Sequence, residues 1–438
     1  MTPEKDTTRH PADPGRRALL GGALSATGGA LAGFVGGRAT AAEDGAGSAG
    51  AAGDAGPRAR LDLDELVEPG RRRLLDLPGD AASPEAGASE LGRTVVDARG
   101  RTQAGVLTSP PAHAAWVAFD LATGDRETLR RVMRIWTDSI DRLTAGRGTL
   151  TDTEPELAQL PASLTVTVGW GLGAYLAAGL DDHAPTWLAP LPPMDFDEMN
   201  PDYTDGELVL QVCADDLLTV RHAMRQLVED ARDLTLLRWQ MSGYRHSAGV
   251  SRPGAPMRNL FGQVDGTGNP QAEELADLVH REDGSAAMVV RRVRFLMGTW
   301  EAAPQEIREQ SIGRTLRTGA PLTGEKESDP LDLGAKGEDG KPVIHQNAHV
   351  RLARDGNPRH RFLRRPYNYD DGAGDVGQVF VAFCQDVDEQ FVPILERIGS
   401  SDLLNEWLVH EGSAVFHVLP GVPVDDSGAY LGSHLLEA

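Results

Sequence analysis

Apolar and polar positions along this chain alternate in two rhythms, one of period two and one near three and a half, and the two take turns. Residues 115–121 (AWVAFDL) have the β-branched and aromatic density of a strand. Asp125 follows as an N-cap, and Leu129, Val132, Trp136, Ile140 and Leu143 recur at helical spacing. Residues 164–168 (LTVTV) and 208–213 (LVLQVC) predict strands. Asp215 and Asp216 open a helix with Leu217, Val220, Met224, Leu227 and Val228 on one face, and 234–241 predicts a further strand. The order then returns, with a strand at 288–297, a helix at 304–312, a long irregular stretch, and 345–352 as either a strand or a short helix. Residues 378–384 (QVFVAFC) predict a strand, 389–398 a helix, and 413–419 (SAVFHVL) a last strand. Strand–helix–strand–strand–helix–strand, twice over, predicts an α+β fold of tandem ferredoxin-like units with antiparallel sheets, the first over 96–255 and the second over 256–438.

Two stretches fall outside this pattern. Arg16-Arg17 precede LLGGALSATGGALAGFVGG and then Ala39-Thr40-Ala41, a basic, weakly apolar, small-x-small order that predicts a twin-arginine signal peptide over 1–41. A short membrane anchor is the alternative; it is disfavoured because glycine dilutes a stretch that would need about 20 predominantly apolar residues. Twin-arginine export carries folded cargo, which points to a cofactor inserted before export. Residues 42–95, rich in Ala, Gly, Asp and Pro, bury too little to offset ordering and predict a flexible tether, with room for a short helix near 61–77.

Charge and cysteine content narrow the chemistry. Across 438 residues, 43 Lys plus Arg face 65 Asp plus Glu, a net charge of −22 that disfavours nucleic acid and anionic lipid. Two cysteines, Cys213 and Cys384, exclude a four-cysteine zinc or iron–sulfur site and a disulfide framework, and leave one disulfide open. Without a C-x-x-C-H run there is no c-type haem attachment. No G-x-S-x-G, P-loop or H-E-x-x-H is present, so hydrolase and nucleotide-binding readings have no foothold.

Three segments carry candidate chemistry. Gly262 to Pro270 (GQVDGTGNP) is the densest turn sequence of the folded part; its glycines let backbone approach a flat ligand, with Asp265 either presented into a cavity or closing a plain Asx-turn. His345 and His349 lie four apart and would share a helix face, and an axial histidine needs an acceptor on its other ring nitrogen, for which Asp386 is a candidate. Residues 362–369 (FLRRPYNY) are basic and aromatic inside an acidic chain: Arg364 is either aimed at an anionic oxygen or part of a solvated basic pair.

Taken in order, QAG at 103–105, FDL at 119–121, LTVTVGWGLG at 164–173, LVLQVCADD at 208–216, RNLFGQVDGTGNP at 258–270, IGRTLRTGAPL at 312–322, HVRLA at 349–353 and LRRPYNYDDG at 363–372 resemble the dye-decolourising haem peroxidases of the twin-arginine-exported kind. The resemblance covers essentially all of the folded part. It implies one non-covalent haem b per chain in a pocket of two ferredoxin-like halves, with His349 the iron ligand, Asp265 the distal acid/base, Arg364 the distal arginine, Gly266, Thr267 and Gly268 along the haem edge, and Asp386 the acidic partner of His349. It implies hydrogen peroxide and small organic reductants as partners and, with the signal over 1–41, an extracytoplasmic location reached through the twin-arginine machinery; the acidic charge predicts no nucleic acid, the glycine-diluted signal stretch no stable membrane insertion after processing, and the sequence leaves a homo-oligomer open. Iron release from haem and non-catalytic haem carriage are the alternatives. Large dyes would be oxidised at the surface through Tyr367, Tyr369, Trp239 and Trp300. Residues 354–361 and Pro366, where the family leads one to expect a glycine, depart from the pattern.

Overall fold

The computed structural model describes residues 90–251 and 255–438; the expected signal over 1–41 and the expected tether as far as residue 89, with its helix near 61–77, lie outside the described residues. The first half runs β1 (His113–Leu121), α1 (Arg126–Thr144), β2 (Thr165–Trp170), β3 (Leu208–Ala214), α2 (Leu217–Asp230) and β4 (Thr235–Tyr244). Helix α1 starts where the N-cap signal placed it, with Asp125 accepting from the Thr128 amide at 2.8 Å, and α2 starts at Asp216, which accepts from the Thr219 amide at 2.9 Å.

A short hairpin, β5 (Met257–Arg258) with β6 (Val264–Asp265), precedes the second half. The main elements of that half are β7 (Ala286–Phe295), α3 (Gln305–Ile312), α4 (His349–Leu352), β8 (Leu363–Arg364), β9 (Tyr367–Asp370), β10 (Val376–Cys384), α5 (Val392–Ser401) and β11 (Leu408–Val418). Of the segment at 345–352 only His349–Leu352 forms a helix, of one turn, and the helix expected at 389–398 begins with a wide turn over Val387–Phe391 before α5.

Each half orders its strands as a ferredoxin-like unit, β2-β3-β1-β4 and β11-β7-β10-β9, and all the pairings between these strands are antiparallel. The halves join at both edges, β11 to β2 through His417↔Trp170 and Val418↔Gly169, and β4 to β9 through Tyr244↔Asn368. The edge strands of each unit thereby pair with the other unit, which leaves fewer open backbone groups than two separate sheets would. One face of the joined sheet packs Trp116, Val209, Met288, Tyr367, Val381 and Phe416 together; the other seats α1 and α2 of the first half through Leu129, Val132, Trp136 and Leu227. Cys213 and Cys384 are buried free thiols. Among the described residues, no helix is long and apolar enough to cross a membrane.

Candidate active site

The alternation of β7 and β10 sets one wall of a cavity. Val293 and Phe295 of β7 and Gln378 and Phe380 of β10 line it, and Phe261, Phe362, Phe391, Ile394, Leu404 and Leu408 complete the apolar surface. This cavity, of about 130 Å³, shares Asp265, His349, Arg364 and Phe380 with an adjoining one of about 530 Å³ that opens along the glycine-rich turn and residues 353–362. The larger is within the roughly 300–1,000 Å³ usual for small-molecule sites.

His349 opens α4, and its Nδ1 lies 2.7 Å from Asp402 Oδ2. The Asp402 carboxylate is wholly buried, and its Oδ1 accepts from the Leu404 amide at 2.9 Å. Burial alone would lower the His349 pKa; the Asp402 charge and hydrogen bond outweigh it and raise the value above 6.5. The carboxylate on His349 is therefore Asp402, not Asp386. Asp386 follows β10 and caps the next turn, accepting from the Glu389 amide at 3.0 Å, so its side chain is consumed locally. His345 lies before α4, exposed, with Nδ1 accepting from the Asn347 amide at 3.1 Å; the two histidines do not share a helix face.

Asp265 and Arg364 come from β6 and β8 to the same cavity, with Asp265 Oδ1 at 3.5 Å from Arg364 Nη1. Gln378 Nε2 donates to Asp265 Oδ2 at 3.0 Å. Asn269 holds Arg364 on both sides: its Oδ1 accepts from the Arg364 amide at 3.1 Å and from Nε at 3.3 Å, while its Nδ2 donates to the Arg364 carbonyl at 2.8 Å. Gly266 has φ +124°, a conformation closed to other residues. A Cβ at Gly268 would lie 3.2 Å from Arg354 Nη2 and 3.3 Å from Arg364 Nη2, so this glycine makes room for two guanidinium groups. Thr267 donates to Glu327 at 2.9 Å. Gln378, Asn269 and Asp402 were not singled out in the sequence; Asn269 alone had a signal there, as part of the turn GQVDGTGNP.

The residues present fit a haem. His349 keeps Nε2 free of hydrogen bonds among the described residues, while Nδ1 is held by an acceptor, the arrangement an iron-binding imidazole needs. Arg354 has no side-chain hydrogen bond or ion pair among the described residues, and Arg314 donates only to the carbonyls of Gly319 and Glu327. Burial lowers the pKa of both, and each is pushed further by a neighbouring arginine, Arg354 by Arg364 and Arg314 by Arg354. Two cations at the rim of an apolar slot, neither of them in an ion pair among the described residues although the Glu327 charge acts on Arg314, suit a flat ligand with anionic side chains.

Comparison with known proteins agrees with this geometry. The family model for the Dyp-type peroxidase N-terminal region matches residues 103–245, and that for the C-terminal region matches 256–423. The chain is 37 % identical to the dye-decolorizing peroxidase of Thermobifida fusca (strain YX) over 434 residues, covering 92 % of this chain and 96 % of that one. With the deferrochelatase of Escherichia coli (strain K12) the identity is 32 % over 426 residues, covering 86 % and 99 %. Among solved structures, the DyP-type peroxidase from Cellulomonas bogoriensis superposes with a TM-score of 0.77 at 48 % identity, and ferric DtpA from Streptomyces lividans with 0.75 at 35 %, each over 80 % of this chain and 99 % of the other. The chain belongs to the Dyp-type peroxidase family and is a haem-dependent peroxidase.

Proposed function

We propose that this chain is an exported peroxidase that holds one non-covalent haem b, reduces hydrogen peroxide, and oxidises dyes and phenolic donors by single electrons. The observation that carries the reading is a carboxylate–guanidinium pair, Asp265 and Arg364, sharing one cavity with an imidazole whose Nδ1 is anchored and whose Nε2 has no hydrogen bond among the described residues. The haem, when bound, supplies the redox chemistry that takes two oxidising equivalents from peroxide and hands them on singly.

His349 would hold the iron, Arg314 and Arg354 the carboxylates of the macrocycle, and Gly266, Thr267 and Gly268 would lie along its edge. Asp402 fixes the tautomer of His349 and makes the ring more basic. Asp265 accepts the proton that peroxide loses and returns it to the oxygen that leaves as water. Arg364 stabilises negative charge on that oxygen as the O–O bond breaks. The pair Arg16-Arg17 supports export by the twin-arginine route.

Stopped-flow mixing with peroxide tests the reading. Asp265→Ala should slow the reaction by about 10²–10⁴-fold, and Arg364→Leu by about 10²–10³-fold. Because a carboxylate ordinarily titrates near 3.9 and an imidazole near 6.5, a carboxylate base should keep dye oxidation active well into acid. Peroxide kinetics unaffected by Asp265→Ala would overturn the assignment. The likeness to deferrochelatases favours a second reading, iron release from haem. Free iron appearing stoichiometrically while peroxide turnover is absent would establish it in place of the first.

A further inference from the structure

We propose that Gln378 is a positioning residue for the reaction with peroxide: it holds the Asp265 carboxylate so that Oδ1, and not Oδ2, takes up and returns the proton. The inference deepens the reading of Asp265 as acid/base and rests on it.

The two contacts to the carboxylate are unequal. Gln378 Nε2 donates to Oδ2 at 3.0 Å, inside the usual N–H···O range of about 2.7–3.2 Å, whereas Arg364 Nη1 stands 3.5 Å from Oδ1, at the limit of a hydrogen bond. The Arg364 Nε is already engaged with Asn269. The guanidinium thus supplies charge next to the carboxylate without setting its rotation, and the amide sets the rotation.

The two residues also differ in how firmly the backbone holds them. Asp265 sits on a two-residue strand in a two-stranded hairpin, facing Met257. Gln378 sits on β10 between Val293 of β7 and Asn368 of β9, hydrogen-bonded into the main sheet and 7 % exposed. The sheet is the rigid partner and the hairpin is what it steadies.

Chemistry then distinguishes the two oxygens. An ionised carboxylate only accepts hydrogen bonds, so the amide must present its N–H to Oδ2, and its own Oε1 faces no donor among the described residues. A proton placed on Oδ2 would meet the amide N–H head-on. A proton placed on Oδ1 leaves the amide bond intact, and the loose contact to Arg364 leaves that oxygen accessible. One carboxylate can then act as base and as acid in a single cycle without turning. Other charges facing Asp265 are Arg245, just past β4, and His349 on α4, besides Arg364 on β8.

The test uses the haem-loaded full chain and compares Gln378→Met, Gln378→Glu and Asp265→Ala. Haem titration and the resting absorption spectrum of both Gln378 variants should match wild type, because the change is at the proton and not at His349. Gln378→Met should react with hydrogen peroxide about 10²-fold more slowly, the usual cost of a misplaced catalytic group. In both variants the acid limb of the rate–pH profile should move to higher pH, further in Gln378→Glu, where two carboxylates compete for one proton. A Gln378→Met enzyme within about twofold of the wild-type rate, with an unmoved acid limb, overturns the proposal. Should Gln378→Met fail to take up haem, Gln378→Glu decides alone, since it matches glutamine in shape, and an unmoved acid limb there overturns the proposal equally. If Asp265→Ala is slow while the Gln378 variants are not, only this inference falls; if Asp265→Ala is as fast as wild type, the acid/base reading falls with it.

Discussion

Replacing Asp402 with Asn exchanges one buried carboxylate oxygen for an N–H₂ group without changing the outline of the side chain. In the wild type, Oδ1 is committed to the Leu404 amide at 2.9 Å and Oδ2 to His349 Nδ1 at 2.7 Å. An asparagine that keeps its oxygen on Leu404 turns its amide hydrogens toward Nδ1. The imidazole can accept them only as the tautomer with its proton on Nε2, the atom through which it would hold iron. A charge-assisted hydrogen bond of about 1.5–3 kcal/mol is lost, which corresponds to a loss in haem affinity of about 10–100-fold, the size expected for removing the partner of an iron-bound histidine. Titration of haem into wild-type and Asp402→Asn apoprotein, followed by absorption, measures it. A second readout comes from pH. The apoprotein's His349 titrates above 6.5 because of Asp402, so the stability it confers is fully present below pH 6.5 and fades as pH rises through the folded-state value. Apoprotein stability should therefore fall with pH in the window above 6.5, and Asp402→Asn should remove that slope. Haem affinity of the wild type should run the other way, rising over the same window as the ring sheds its proton. A variant that binds haem within about twofold of wild type and keeps the pH slope refutes the reasoning.

Two further predictions concern residues away from the cavity. His417, hydrogen-bonded to Tyr175 Oη at 2.6 Å, is held down by burial to about 4, so it stays neutral when folded and its contribution is present above 6.5 and lost as pH falls toward 4. That loss is about 3 kcal/mol, and His417→Gln should flatten this acid limb in urea unfolding. For dye oxidation, Tyr369→Phe and Trp300→Phe should lower dye turnover while leaving the peroxide reaction unchanged: Tyr369 has a proton acceptor in Asp375 at 3.2 Å, and Trp300 stacks at 4.3 Å on Phe261 of the cavity wall. Tyr367→Phe should not, because the buried Tyr367 hydroxyl has no carboxylate partner among the described residues and faces the Cys213 thiol and the Arg365 and Arg245 guanidinium groups; equal losses in all three variants would refute this ranking.

The features legible along the chain were local or contiguous. Period-two and helical spacing located the main strands and helices to within a few residues, since each pattern is imposed by neighbours along the chain. The caps at Asp125 and Asp216 were legible because the acceptor and the amide it satisfies are three residues apart. The motifs around Asp265, His349 and Arg364 carried the family, and those three side chains do line one cavity. Which groups surround them was set by packing between distant segments. Asp386 and Asp402 are both acidic residues near the end of a strand or helix; Asp402 reaches His349 because the Leu403 amide donates to Asn347 at 3.1 Å and ties that turn to the start of α4, whereas Asp386 is spent on its own turn. Gln378 reads in the sequence as one polar position in an apolar strand, and its bond to Asp265 spans 113 residues. The four aromatic residues suggested as relays toward dyes at the surface are all buried, because Trp239, Tyr367 and Tyr369 fill the space where the two halves meet and Trp300 packs under Phe261. Spacing along the chain fixes what a residue can do with its near neighbours; which carboxylate, amide or ring stands opposite it depends on how the two halves joined into one sheet, and only the folded chain contains that.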